Sequence, residues 1–101
     1  MFTILEFLQY EDLGFAPKGE GWRAIEEGVT EPDGALPVNT SGGLKAKGHP
    51  LGASGVAQVH ELREQLLGEA GARQVDAGVG LACSVGGFGN CATTTVLEGP
   101  P

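Results

Sequence analysis

The stretch GGLKAKGHPLGASG, from Gly42 to Gly55, constrains this chain more than any other segment. Gly42, Gly43, Gly48, Gly52 and Gly55 permit backbone angles and close approaches that other residues resist. Among them sits His49, followed by Pro50, and a proline restricts the residue before it to extended backbone values. From Gly52 or Ala53 to Leu67 the spacing predicts a helix. Val56, Val59, Leu62 and Leu66 form its apolar stripe, with Gln58, Glu61 and Glu64 off it. Gly68 and Gly71 are expected to end it. Two roles fit the loop. It is either a turn that needs positive φ and close backbone approach, or a mount that orients one imidazole, as a catalytic base requires. A phosphate cradle fits poorly, because the loop lacks a Gly-Lys-Ser/Thr ending and the G-x-G-x-x-G pattern is absent.

Ahead of the loop, Phe2 to Asp12 reads as a helix. Phe2, Leu5 and Leu8 recur at three-residue steps with Ile4 and Phe7 beside them, and Gly14 is the stop. Thr3 and Glu6 have the spacing of a capping box. Trp22 to Gly28 is a short helical turn, Pro32-Asp33-Gly34 has turn chemistry, and Leu36 to Asn39 reads as a brief extended piece. Beyond the second helix, Val79 to Val85 and Cys91 to Leu97 read as two strands of a hairpin around GGFG. The class is α/β, in one small domain spanning 1–101. Two strands and a few helices with long loops rarely make a self-sufficient core. The expectation is therefore a part of something larger.

A net charge of −7 without a basic run argues against nucleic acid and anionic membrane as partners. No apolar run approaches the ~20 residues of a membrane span, and the first residues lack the basic start of a secretion signal. Cys83 and Cys91 are too few for a disulfide framework, so a reducing, cytoplasmic setting is expected. Cys83 precedes a glycine turn. It is either a thiolate favoured by nearby amides at a cleft or a small buried hydrophobe. Cys91 is expected to pack inside its strand. With the turn centred on Gly87, the two cysteines would face each other across the hairpin. His60 reads as solvated, and Glu11-Asp12 and Glu26-Glu27 as solvated helix ends.

These motifs together resemble the thiolase family. VNTSGGLKAKGHPLGASG is similar to its Asn-x-x-Gly-Gly stretch followed by Gly-His-Pro-x-Gly-Ala-x-Gly. CSVGGFG is similar in length and position to its C-terminal Cys-x-Gly-Gly-Gly-x-Gly motif, with Val85 in place of the first glycine of the run. FTILEFLQYEDLGFAPKGEG resembles the segment seen in the sterol-carrier-protein type of thiolase. The resemblance runs from Phe2 to Glu98. It implies a thiolase-like fold as an incomplete C-terminal half-domain. It also implies acyl transfer on coenzyme A thioesters, by Claisen condensation or thiolysis, with coenzyme A as part of the substrate and neither metal nor separate cofactor. In such enzymes a cysteine takes the acyl group, the Gly-His-Pro histidine activates it and helps form an oxyanion hole, and a second cysteine moves the α-proton. Carried over by position, His49 is the activating residue and Cys83 the acid/base. Asn39, Gly42, Gly43, Gly48, Ser54, Gly86 and Gly87 line the substrate or oxyanion loops.

The resemblance further implies that the nucleophilic cysteine lies in an N-terminal half outside this chain. Met1 then stands inside a short active-site motif. The implied partners are acyl-CoA and that N-terminal half, or a thiolase-like subunit, in an oligomer. Two rival readings are a non-catalytic module that binds acyl-CoA or serves assembly, and a gene fragment.

Overall fold

A computed structural model describes residues 2–101; the reading of Met1 as part of a family motif falls outside them. The chain divides into two compact units, one ending at Lys47 and one running from Gly48 to Pro101.

The first unit holds α1 (Thr3–Asp12), α2 (Gly21–Glu26) and the short α3 (Gly43–Lys47). Phe2, not Thr3, is the N-cap of α1. Its backbone is extended, and its carbonyl accepts from the amides of Leu5 and Glu6. The expected capping box is therefore not used, and the Glu6 carboxylate instead accepts the Tyr10 hydroxyl one turn later. At the other end Gly14 turns left-handed (φ +79°), Phe15 N–H donates to the Tyr10 carbonyl at 2.8 Å, and Gly14 N–H to that of Glu11 at 3.1 Å. This satisfies carbonyls that a helix end leaves without partners. Gly28 and Gly68 close the later helices with the same pair of bonds.

α2 packs against α1 through backbone. A Cβ on Gly21 would lie 2.3 Å from the Phe7 carbonyl oxygen. The Glu11 carboxylate accepts the Gly21 N–H at 3.0 Å, which corrects its reading as a merely solvated helix end. It fills an orphan donor at the start of a helix whose own N-cap side chain makes no cap bond. Leu36 to Asn39 forms no strand; two amide bonds, Leu36 to the Val29 carbonyl and Val38 to that of Thr30, tether it. α3 lies where the sequence suggested only a glycine loop.

The second unit is α4 (Ser54–Leu67), a 3-10 turn (Gly71–Arg73), and the antiparallel strands β1 (Val79–Gly86) and β2 (Cys91–Glu98). The hairpin forms as expected, each strand one residue longer than read, with Val79 opposite Glu98 and Gly86 opposite Cys91. α4 lies on one face of it. Positions for a Cβ on Gly80, Gly55 and Gly99 fall 2.9 Å from Leu62 Cδ2, 3.4 Å from Ser84 Oγ and 3.4 Å from the Leu66 carbonyl oxygen. These three contacts run α4 antiparallel to β1, its first turn level with Ser84. Strand residues alternate between faces, so Gly80, Ala82 and Ser84 meet the helix while Val79, Leu81, Cys83 and Val85 face away.

Half of the expected helix stripe is used: Leu62 and Leu66 face the hairpin, and the two valines do not. Val56 is 71 % exposed and Val59 is also exposed, whereas Ser54 and Gln65 are buried. The N-terminal half of α4 meets the hairpin through Ser54 and Gly55 rather than through the valines. Ser54 and Gln65 are satisfied locally, whereas the buried Gln58 Oε1 has no protein partner among the described residues. Gln65 Nε2 donates to the Arg73 carbonyl at 2.7 Å, and its Oε1 accepts the Val75 amide at 2.9 Å. A buried polar side chain bonded in this way avoids the cost of an unmade hydrogen bond. Arg73 reaches back to Glu61 at 3.1 Å and Glu64 at 2.9 Å, fastening the 3-10 turn to α4. No helix among the described residues is long and apolar enough to cross a membrane.

Candidate functional site

Gly48 adopts φ +80°, a conformation that a side chain would strain, and delivers the chain to His49 and Pro50. The Pro50 carbonyl then accepts the amides of Ala53 and Ser54, both at 2.9 Å, and α4 begins. Ser54 opens the helix facing inward, 4 % exposed. Its hydroxyl sits 2.8 Å from His49 Nδ1 and 3.2 Å from the Pro50 carbonyl oxygen. The imidazole is thus exposed as a group yet tied by one ring nitrogen to the first turn of a helix. The sequence expectation of an oriented histidine ahead of a helix is met, and the tie is Ser54.

Cys83 lies inside β1, not at its end, because the ladder continues through Gly86. It is half-buried, opposite Thr94, whose hydroxyl donates to its sulfur at 3.7 Å. In the sequence Thr94 reads only as one of three strand-favouring threonines, Thr93 to Thr95, with no sign that it meets Cys83. The hairpin turn spans the four residues Gly87–Asn90, and only with that count does Thr94 fall opposite Cys83. The same register corrects the facing pair of cysteines: Cys91 lies opposite Gly86. Cys91 is exposed rather than packed, because α4 starts level with Ser84 and leaves the Gly86–Cys91 end of the ladder uncovered. At the tip, a Cβ on Gly87 would fall 2.4 Å from Asn90 Oδ1, which accepts the Phe88 amide at 3.3 Å.

The structure brings some expected residues together and separates others. In the second unit the Gly48–Pro50 loop and the GGFG turn lie at the same end of the α4–hairpin layer. His49 is tied to the helix side of that layer, and Cys83 projects from the other face. In the first unit Asn39, Gly42 and Gly43 form one turn. Asn39 takes φ +51°, its carbonyl accepts the Gly42 amide at 2.8 Å, and a Cβ on Gly43 would pack 3.4 Å from that of Asn39. Two shallow hollows of about 220 and 180 Å³ occur elsewhere, lined by Phe15, Arg23 and Val29 among others, and by Arg63, Leu67 and Leu97 among others. Neither holds His49 or Cys83.

An imidazole tied to a helix start and a thiol on a strand of the same layer are groups that thioester chemistry can use. A family model described as thiolase C-terminal domain-like matches residues 1–99. An acetyl-CoA acetyltransferase of Methanothermobacter thermautotrophicus is 55 % identical over 98 residues, which are 96 % of this chain and 26 % of that protein. Sterol carrier protein 2 of Oryctolagus cuniculus is 46 % identical over 98 residues, 96 % of this chain and 18 % of that protein. A benzoylsuccinyl-CoA thiolase subunit of Thauera aromatica is 41 % identical over 75 residues, 74 % of this chain and 20 % of that subunit. This chain therefore spans about a quarter or less of the length of these relatives. With a Gly-His-Pro loop opening a helix laid on a glycine-lined hairpin, and with a match to the family's C-terminal domain over nearly its whole length, the chain belongs to the thiolase family.

Proposed function

We propose that this chain is the C-terminal portion of a thiolase-type acyl-CoA acyltransferase, acting in the cytoplasm in the condensation or thiolysis of acyl-CoA thioesters. The observation that carries the reading is the imidazole of His49, held by Ser54 at the end of the layer that also bears Cys83 and the GGFG turn. The names of the relatives, an acetyl-CoA acetyltransferase and a benzoylsuccinyl-CoA thiolase subunit, support it. An N-terminal half, in the same polypeptide or as a separate subunit, supplies the nucleophilic cysteine and completes an oligomeric enzyme.

His49 takes the proton of that cysteine. The thiolate attacks the thioester carbonyl, and the imidazolium so formed donates to the developing oxyanion. Cys83 exchanges the proton at the α-carbon. Gly42, Gly43, Gly48, Gly86 and Gly87 keep their own loops free of side chains and offer backbone amides to the coenzyme A thioester, and Asn39 offers its side-chain carboxamide. For His49 and Cys83 to serve one acyl group, the substrate must lie across the loop end of the hairpin, within reach of both its faces.

The test is turnover of acetyl-CoA and acetoacetyl-CoA by the chain alone and with the N-terminal remainder of the archaeal acetyltransferase added. The isolated chain is expected to be inactive, because a ping-pong acyl exchange needs its covalent carrier. The pair is expected to turn over, and His49→Ala to lower its rate by ~10²–10⁴-fold, the usual worth of a positioned base. Turnover by the isolated chain would show that the carrier lies within it. Acyl-CoA binding without turnover by the pair would favour a non-catalytic module.

A further inference from the structure

The buried hydroxyl of Ser54 decides which nitrogen of His49 carries the proton. It has one hydrogen and two neighbours, His49 Nδ1 at 2.8 Å and the Pro50 carbonyl oxygen at 3.2 Å. A carbonyl can only accept; an imidazole nitrogen can do either. If Ser54 gave its proton to Nδ1, its oxygen would face the Pro50 oxygen at 3.2 Å with no hydrogen between them. At 4 % exposure, water has little access to relieve that contact. If Ser54 donates to Pro50 instead, its lone pair receives an N–H from Nδ1 and both contacts are attractive. We infer that Ser54 is a positioning residue that holds neutral His49 in the Nδ1–H tautomer and leaves the lone pair on Nε2.

The consequence rests on the acyl-transfer reading above, although the tautomer itself does not. A lone pair on Nε2 can take the thiol proton. The S–H bond breaks, its electron pair stays on sulfur as thiolate, and the new Nε2–H is then the donor that an oxyanion needs. One ring nitrogen performs both tasks in order. In the opposite tautomer Nε2 would already bear a hydrogen and could not act as base, a mismatch that is severe in other His-activated nucleophiles.

The measurement is the tautomer itself, by long-range proton–nitrogen correlation on the nitrogen-15-labelled full chain. It is made near pH 8.5, about two units above the ordinary imidazole pKa. His60 is an internal reference. Its Nε2 lies 3.5 Å from a Glu64 carboxylate oxygen, which favours the Nε2–H form. His49 is expected to show the reverse pattern from His60, with Nδ1 in the protonated range. Ser54→Ala is expected to turn His49 to the His60 pattern, and Ser54→Thr to preserve its own. An Nε2–H pattern for His49 in the unmodified chain overturns the inference. So does an unchanged Nδ1–H pattern in a Ser54→Ala chain with native circular dichroism. Should Ser54→Ala not fold, Ser54→Thr decides: Nδ1–H supports the inference and Nε2–H overturns it.

No substrate or second half is present in this experiment, so a failure of the functional reading would leave its result intact. In the completed enzyme, Ser54→Ala is expected to lower kcat by roughly 10–100-fold at unchanged KM, as loss of a histidine's supporting partner commonly does. Ser54→Thr should restore it.

Discussion

At the scale of single residues, most polar side chains that matter here act on a neighbour close in sequence. Ser54 acts on His49 five residues back, and Tyr10 on Glu6 four residues back. Tyr10 carries a testable consequence, because it is the one tyrosine of the chain and is 4 % exposed. Burial, and then its hydrogen bond to the Glu6 carboxylate, raise its pKa well above the ordinary value of 10.0. An unfolded tyrosine loses its proton near pH 10, whereas the folded one holds on. The stability tied to Tyr10 is therefore fully present below pH 10 and drains away as pH rises beyond it. In an absorbance titration, phenolate is expected to appear only together with loss of helical circular dichroism, and Tyr10→Phe to remove that alkaline sensitivity. A simple titration near pH 10 in the folded chain would contradict the burial of Tyr10. Such pairs are legible in principle, since i, i+4 neighbours share a helix face. The Ser54–His49 pair is less so: it spans a helix start, and only the observed loop angles bring the two side chains together.

At the scale of elements, glycines decide how helices seat. α2 starts at Gly21 and α4 carries Gly55 as its second residue. Helix propensity alone favours alanine at both by up to ~1 kcal/mol. The packing separates them. At Gly21 a Cβ would fall 2.3 Å from the Phe7 carbonyl oxygen, which is backbone and cannot rotate aside. At Gly55 the nearest atom is Ser84 Oγ at 3.4 Å, an ordinary contact. Gly21→Ala should lower stability by about 1–3 kcal/mol, in the manner of overpacking. Gly55→Ala should be neutral or stabilising by up to ~1 kcal/mol. Urea midpoints of the two variants test this, and destabilisation of the same size by both would remove the distinction. From sequence the two glycines look alike; the reason for their difference is a carbonyl from another helix.

At the scale of the whole chain, the balance is between charge and uncovered apolar surface. Phe2, Leu51, Val56, Phe88 and Val96 are among the large apolar residues left exposed, and no large side chain among the described residues is fully buried. A net charge of −7 keeps such molecules apart at pH 7, and this repulsion vanishes near the isoelectric point of about 4.6. Light scattering is expected to rise as pH falls from 7 toward 4.6. Addition of the N-terminal half of a relative at pH 7 is expected to reduce binding of an apolar dye. Dye binding unchanged by that half, under conditions where the pair is active, would mean that these residues are not the covered surface. What the sequence determined by itself was what local chemistry sets: the extents of α1, α2 and α4, though not α3, through periodicity and the left-handed glycines that close them; the hairpin, through β-branched runs on either side of GGFG; and the family, through Gly-His-Pro. The tertiary structure decided which face of each element is used. Val56, Val59, Leu62 and Leu66 repeat with helical spacing, yet only the two leucines reach the hairpin, and at the start of α4 Gly55 rather than Val56 lies against it, beside the Ser84 side chain. Cys83 and Thr94 meet only because the turn has four residues, and register, unlike composition, belongs to the pair of strands rather than to either one.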